Sequence, residues 1–324
     1  MVKAVRVHGY GGPEALSVDE IEVGAPGPGE VLVRHTAVGL NFIDTYHRSG
    51  LYKLERLPHT LGVEGAGVIE AAGAEVTDLA PGDRVAYAGS IGSYCEMRVM
   101  DAGRLVKLPD GLGDQQAAAM MLQGMTVRYL VRRVHEIAPG ETVLIHAAAG
   151  GIGLIFCQWA KHLGATVIGT VSSDQKAALA EAHGCDHPIV YTREDFVARV
   201  RQLTDGAGVP VVYDSVGKET WQGSLDCLAP LGLMVSFGNA SGPAPAFTVL
   251  DLMGRGSLFV TRPVLAHYTA SREDLLESAN DLFEVVASGA VKIEINQRYA
   301  LGEAEDAHRD LEGRRTTGSS ILIP

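Results

Sequence analysis

The run Glu141-Thr142-Val143-Leu144-Ile145-His146-Ala147-Ala148-Ala149-Gly150-Gly151-Ile152-Gly153 has the residue types and spacing with the clearest chemistry. An apolar strand feeds a glycine-rich turn, and the turn opens a helix, Leu154-Ile155-Phe156-Cys157-Gln158-Trp159-Ala160-Lys161. Glycine lets a backbone approach a diphosphate, and the free N–H groups at a helix start attract its charge. In the G-x-G-x-x-G frame the turn reads Ala148-x-Gly150-x-x-Gly153, with alanine at the first glycine position. Such a turn can also arise for packing alone, so its context has to decide.

The end of the second strand of such a unit selects the cofactor. NAD-binding units place Asp or Glu there for the ribose 2′-hydroxyl. This chain has Thr170-Val171-Ser172-Ser173, then Asp174-Gln175-Lys176. Hydroxyls and a lysine suit a 2′-phosphate, so NADPH is expected over NADH. The competing reading makes Lys176 an ordinary solvated helix residue.

These groups need a frame, and the surrounding chain supplies one. From Glu141 onward, strand-like runs at 143–147, 166–170, 188–191, 210–214, 233–237 and 257–261 alternate with helical segments. Six strands in this rhythm predict a doubly wound parallel sheet. The first third instead reads as short strands separated by Gly11-Gly12-Pro13 and Ala25-Pro26-Gly27-Pro28-Gly29, a β-domain with the character of a barrel. A helical segment is expected over 114–135. The tail reads as a helix (271–288), a strand-like run (291–295), a helix (302–312) and a final strand, Ser320-Ile321-Leu322-Ile323, expected to fold back onto the first domain. The domains are expected at 1–124 with 263–324, and at 125–262.

Composition narrows the function classes. The chain has 324 residues, is 46% hydrophobic and 20% charged, and carries a net charge of −12. With a pI near 5.4 and no basic run, nucleic acid and anionic membrane are not expected partners. The four cysteines, Cys95, Cys157, Cys185 and Cys227, are scattered and form no CxxC pair, which suits a reducing compartment. No signal peptide and no membrane-spanning apolar stretch is expected, so a cytoplasmic location is.

With these residues in view, the chain resembles the zinc-free medium-chain dehydrogenases/reductases, and among them the NADPH:quinone oxidoreductases related to zeta-crystallin. The resemblance rests on Gly39-Leu40-Asn41-Phe42-Ile43-Asp44-Thr45-Tyr46, Leu61-Gly62-Val63-Glu64-Gly65-Ala66-Gly67, residues 140–161, Val212-Tyr213-Asp214-Ser215-Val216-Gly217 and Thr317-Gly318-Ser319-Ser320. It implies a GroES-like β-barrel domain plus a Rossmann domain of α/β class. Zinc relatives carry Cys and Gly-His-Glu as ligands, but this chain has Asn41 and Val63 there, leaving Glu64 alone. A catalytic zinc takes three protein ligands, so none is expected. The cluster His183-Gly184-Cys185-Asp186-His187 reads as a surface loop.

The same resemblance implies cofactor contacts. Thr126 would face the nicotinamide phosphate end, and Gly150, Gly151 and Ile152 the diphosphate. Ser173, Lys176, Tyr191 and Arg314 would surround the adenosine and its 2′-phosphate. Ser215, Phe237, Gly238 and Thr261 would line the cleft at the strand ends, with Asn41 and Tyr46 near the nicotinamide. For catalysis the candidates are Asn41, Tyr46 and Tyr52 as hydrogen-bond donors, with Asp44 orienting them; the plainer reading has Asp44 cap a helix and the tyrosines pack. The expected reaction is NADPH-dependent reduction of a small quinone or other electron-poor acceptor, by hydride or single electrons. The alternatives are an enone or alkenal C=C reductase, or a non-catalytic NADPH-binding sensor or structural protein. A homodimer is expected through the edge strand 257–261.

Overall fold

The computed structural model describes residues 1–324, and its first half is dominated by short strands. They are β1 (Val2–Val7), β2 (Leu16–Ile21), β3 (Glu30–Leu40), then α1 (Phe42–Ser49), β4 (His59–Thr60), β5 (Glu64–Ala72), β6 (Arg84–Ala88), β7 (Met97–Asp101) and β8 (Val106–Lys107). Helices α2 (Asp114–Ala118) and α3 (Met121–Tyr129) lead to the alternating part: β9 (Thr142–Ile145), α4 (Gly151–His162), β10 (Thr166–Val171), α5 (Asp174–Ala182), β11 (His187–Val190), α6 (Phe196–Leu203) and β12 (Val209–Asp214). It continues with α7 (Trp221–Cys227), β13 (Leu228–Ser236), α8 (Val249–Gly254), β14 (Phe259–Thr261) and α9 (Leu265–Tyr268). The tail is α10 (Arg272–Ala287), β15 (Ile295–Ala300), α11 (Ala304–Glu312) and β16 (Ser319–Ile323).

Two compact units result: Met1–Met125 with Tyr268–Ala287 and Ile293–Pro324, and Thr126–His267 with Ser288–Lys292. In the second unit, six parallel strands run in the order β11-β10-β9-β12-β13-β14. Strands covered on both faces are apolar along their length rather than alternating, as β9 (Thr-Val-Leu-Ile) is. Leu144, Ile168, Val212 and Met234 share one core with Trp221 and Leu225 of α7. The strand order reverses between β9 and β12, and ligands of such sheets bind beyond the carboxyl ends at that point.

The first unit holds a three-stranded sheet, β2-β1-β4, and a seven-stranded one, β15-β16-β3-β5-β6-β8 with β7 paired to β3. Along β3 the alternate residues Val31 and Val33 enter a core with Ile69, Val85, Tyr87, Met100 and Leu105. Farther on, Val38 and Leu40 join a second core with Val5, Val7, Tyr94, Ala304 and Leu322. β16 pairs antiparallel with the end of β3, Leu322 opposite Val38 and Ser320 opposite Leu40. That pairing brings the last residues of the chain to the strand that delivers Asn41.

Three sequence expectations shift. The helical segment 114–135 breaks at Ala119-Met120 and ends in a π-turn, Leu130–Val134. Ala119 and Met120 are both buried, so packing rather than a proline or glycine sets the break. The strand expected at 291–295 begins at Ile295, because the Lys292 backbone exchanges two hydrogen bonds with the Gln158 side chain of α4 instead. The last strand of the parallel sheet starts at Phe259, since Gly256 (φ 107°) and Ser257 (φ 58°) form a left-handed turn just before it.

Candidate active site

The glycine turn joins β9 to α4 in the second unit. Its conformation is fixed by Ala147, which is left-handed (φ 57°), and by bonds from Ala148 N to Thr170 O (3.0 Å) and Gly150 N to Ala147 O (3.0 Å). Gly150 is the N-cap and offers no side-chain capping bond. The helical ladder starts at Leu154 N to Gly150 O, 2.9 Å, so the N–H groups of Gly151, Ile152 and Gly153 precede it. At Gly153 a Cβ would lie 2.3 Å from Ala147 O and 2.6 Å from Ala148 O, so only glycine lets the helix start this close to the strand. These uncapped donors at a twelve-residue helix fit a diphosphate.

At the end of β10, Ser173 caps α5 by accepting from Lys176 N at 3.3 Å. The nearby carboxylate, Asp174, is held by both guanidinium nitrogens of Arg193 (2.7 and 2.5 Å). That ion pair keeps the Asp174 carboxyl below its usual range. A neutralised carboxylate beside a lysine and two serines fits a 2′-phosphate better than a ribose diol. Tyr191 follows β11 and is exposed, and Thr192 bonds Ser172 O at 3.2 Å. Arg314 belongs to the first unit, exposed and left-handed (φ 57°) just after α11.

The remaining strand ends are tied together. Phe237 N bonds Asp214 O (2.8 Å) and Ala240 N bonds Ser215 O (3.1 Å). A Cβ on Gly238 would sit 2.3 Å from Ser215 O, so glycine permits this close approach. Thr261 lies opposite Val235, and Thr126 is buried in α3. Arg262, which sequence reasoning missed, donates to Ser236 O (3.1 Å) and Gly238 O (3.0 Å), adding a cation at the carboxyl edge.

In the first unit Asn41 stands between β3 and α1 as the N-cap, yet its side chain makes no capping bond. Instead its Nδ2 donates to Glu64 Oε2 (2.6 Å), and its Oδ1 accepts from Gln123 Nε2 (3.0 Å). Ser319 of β16 donates to Gln123 Oε1 (2.9 Å), and Leu122 N donates to Glu64 Oε1 (2.7 Å). All four side chains are buried. A Cβ on Gly39 would meet Glu64 Oε2 at 2.3 Å, so this glycine makes room for the carboxyl. An amide nitrogen carries two hydrogens, and Glu64 takes one, leaving the other for an acceptor.

Asp44 Oδ2 accepts from Asn41 N (2.8 Å) and from Tyr94 OH (2.8 Å), so it fixes the backbone of Asn41. Tyr94 in turn meets His308 Nε2 (3.2 Å), whose Nδ1 accepts from Arg48 (2.9 Å). Tyr46 is buried and packs edge-on against Tyr52, ring centres 5.2 Å apart. Asp44 therefore both caps the helix and orients Asn41, while the tyrosines form an aromatic pair.

Burial without a counter-charge pushes Glu64 up to about 8 and Asp44 up to about 7. Burial likewise lowers His35 and His47 to about 4 and His308 to about 3. The signs oppose. The histidines bind fewer protons folded than unfolded below about pH 6.5, so there stability rises with pH. The two carboxyls keep protons that the unfolded chain releases, so their contribution is lost as pH rises toward 7 and 8. Unfolding free energy is expected to peak near pH 6.5 and decline toward pH 8, by at most about 1.4 kcal/mol per pH unit for each group. Urea unfolding between pH 5 and 9 measures it; Glu64→Gln should remove most of the alkaline decline, and an equal decline in that variant would exclude Glu64 as its source.

No group of three or more His, Cys, Asp or Glu side chains is arranged to hold a metal ion. Glu64, at the position where zinc relatives carry a ligand, is instead engaged by Asn41 and the Leu122 backbone. Gln123 and Tyr94 had no local sequence signal, because each matters only through partners distant in the chain.

Comparison with known proteins agrees with this layout. The family described as alcohol dehydrogenase GroES-like domain matches residues 27–110, and that described as zinc-binding dehydrogenase matches residues 151–280. The chain is 55% identical to a quinone oxidoreductase of Pseudomonas aeruginosa, over 100% of both chains. It is 46% identical to a 2-haloacrylate reductase of a Burkholderia species, covering 100% of this chain and 99% of the relative. The crystal structure of Escherichia coli quinone oxidoreductase complexed with NADPH superposes with a TM-score of 0.98 at 48% identity, covering 99% of this chain and 100% of that one.

Proposed function

The chain belongs to the quinone oxidoreductase family of medium-chain dehydrogenases/reductases, and on that premise we propose that it reduces small quinones with NADPH and without a metal. The observation that carries this reading is the buried Asn41 amide. Glu64 and Gln123 fix the orientation of that amide, Asp44 holds the Asn41 backbone N–H, and the second amide N–H is left for an acceptor. NADPH supplies a hydride when bound, and with one proton a quinone becomes a hydroquinone. A quinone spreads the developing negative charge over its own ring, so the protein needs only a positioned donor for the oxygen. Asn41 fills that role, Asp44 holds Asn41 in place, and Tyr46 and Tyr52 offer aromatic surface to a flat acceptor.

For the cofactor, Gly150, Gly151 and Ile152 receive the diphosphate, and Thr126 the nicotinamide phosphate end. Ser173 and Lys176 receive the 2′-phosphate, with Tyr191 and Arg314 toward the adenosine. Ser215, Phe237, Gly238 and Thr261 line the strand ends. Lys176→Ala is expected to weaken NADPH about 10–100-fold and NADH about threefold or less, the range for a lost charge-assisted bond. Fluorescence titration with both nucleotides tests this, and equal losses would remove the 2′-phosphate role of Lys176.

The assay for the reaction is oxidation of NADPH and, separately, NADH at 340 nm by chelator-treated protein with 1,4-benzoquinone. Quinone-dependent turnover that survives chelation supports the proposal. A second reading, reduction of an activated C=C bond, is favoured by the 46% identity to a 2-haloacrylate reductase. Strong preference for a small enone or 2-chloroacrylate over benzoquinone would replace the first reading with it.

A homodimer through β14 also belongs to the proposal. β14 is the edge of the parallel sheet, and Phe259 on it is 60% exposed. Val249, Leu250 and Met253 on α8 are exposed as well. An open apolar edge strand of this kind needs cover. Sedimentation at micromolar concentration is expected to give a dimer and Phe259→Lys a monomer; a monomeric parent protein would refute it.

A further inference from the structure

A second buried polar chain lies directly beneath the glycine turn, and the proposed chemistry does not use it. His146, the last residue before Ala147, has Nδ1 2.8 Å from Thr170 Oγ1 and Nε2 2.9 Å from Ser224 Oγ. Ser224 Oγ donates to Asp214 Oδ2 at 2.8 Å, and Thr220 donates to the same oxygen at 2.7 Å. Asp214 Oδ1 accepts from Val216 N (2.7 Å) and Gly217 N (3.0 Å). His146, Thr170, Ser224 and Asp214 are all buried, and the His146 ring packs edge-on against Phe196 with centres 5.1 Å apart.

The hydrogen-bond directions can be worked out from one end. Asp214 is surrounded by four donors, so it acts only as an acceptor. Ser224 spends its single proton on Asp214 and must accept from His146. His146 therefore carries its proton on Nε2, and its bare Nδ1 accepts from the Thr170 hydroxyl. Burial disfavours the charged ring and lowers the His146 pKa, consistent with one neutral tautomer.

Three members sit at strand ends next to the segments proposed to meet the cofactor, and Ser224 of α7 links two of them. His146 directly follows β9 and precedes the left-handed Ala147 of the diphosphate turn. Thr170 is near the end of β10, and its carbonyl also accepts from Ala148 N of that turn. Asp214 ends β12 and its carboxylate shapes the Val216-Gly217 turn after Ser215. We propose that His146, as a neutral Nε2–H tautomer locked between Thr170 and Ser224–Asp214, is a positioning residue that sets the three strand ends in register to bind the dinucleotide. This rests on the NADPH reading above.

The consequence is a loss of cofactor affinity with chemistry preserved. Thr170→Val and Ser224→Ala each remove one hydroxyl with little change of volume, whereas Thr170→Ser keeps it. The expected result is an NADPH Kd and KM raised about tenfold in the first two variants. At saturating NADPH, kcat stays within about threefold, and Thr170→Ser lies near the parent protein. Nitrogen-15 NMR of the parent protein should show His146 protonated on Nε2 alone from pH 6 to 8. NADPH affinity within twofold of the parent in both variants, with only a lowered Tm, would reduce the chain to scaffolding and overturn the proposal. An Nδ1–H tautomer would overturn it even if the variants failed to fold. Were the parent protein itself not to bind NADPH, the cofactor reading would fail first and carry this inference with it.

Discussion

Gly153→Val should abolish measurable NADPH binding, a loss of about 100-fold or more, and lower stability by about 1–3 kcal/mol, as overpacking does. The reason is geometric. A Cβ at this position would lie 2.3 Å from Ala147 O and 2.6 Å from Ala148 C and O, all backbone atoms of the turn. No rotamer relieves such a contact, so the helix must move away from the strand or the turn must open. Either shift displaces the N–H groups of Gly151 and Ile152 that are to meet the diphosphate. Gly150→Ala separates folding from binding. Its Cβ would meet only Ala147 O, at 3.3 Å, a contact that a small adjustment relieves. The Gly150 variant should therefore keep a near-parental Tm while losing about tenfold in NADPH affinity, because the methyl group stands where the phosphates approach. Titration and thermal unfolding of both variants check the pair; parental affinity in Gly153→Val would show that the turn does not hold the cofactor.

The same glycine spacing explains why this half of the molecule is legible in sequence. Strands buried on both faces are short apolar runs, and the turn between β9 and α4 needs glycine at fixed positions, so both features are local. All six parallel strands appear in sequence in this way. The start of β14 is less legible, because Ser257 is a non-glycine residue in a left-handed conformation that only the preceding Gly256 accompanies. The active-site partners are less legible still. Asn41 and Asp44 stand in a recognisable motif three residues apart, but Gln123 reaches Asn41 across 82 residues and Ser319 reaches Gln123 across 196. His308 meets Arg48 across 260 residues. None of these pairs has a periodicity or spacing that one chain can display, since they arise only when α3, α11 and β16 come against β3 and α1. Glu64 is visible in sequence as a leftover ligand position; its role as the acceptor that turns Asn41 away from capping α1 becomes visible only in three dimensions.

That turning-away makes Asn41 the residue whose loss should cost most in turnover. Asn41→Ala removes the amide proposed to hold the acceptor oxygen, and losing one such donor costs about 10²–10³ in kcat. It also strands two buried partners, Glu64 Oε2 and Gln123 Nε2, each worth about 1–3 kcal/mol when unpaired, so stability should fall as well. Gln123→Ala distinguishes the two effects. It leaves Asn41 bonded to Glu64 and held at its backbone N–H by Asp44, so the donor survives with a looser orientation. The Gln123 variant should lose stability comparably but only about tenfold in kcat, with its NADPH KM unchanged. Steady-state kinetics with benzoquinone at saturating NADPH, beside urea unfolding of each variant, measure the contrast. Equal kcat losses in the two would mean that the intact network, rather than the Asn41 N–H, supports turnover. A near-parental kcat in Asn41→Ala would instead move the acceptor's hydrogen-bond donor elsewhere, with the hydroxyls of Tyr46 and Tyr52 next to be tested by phenylalanine substitution.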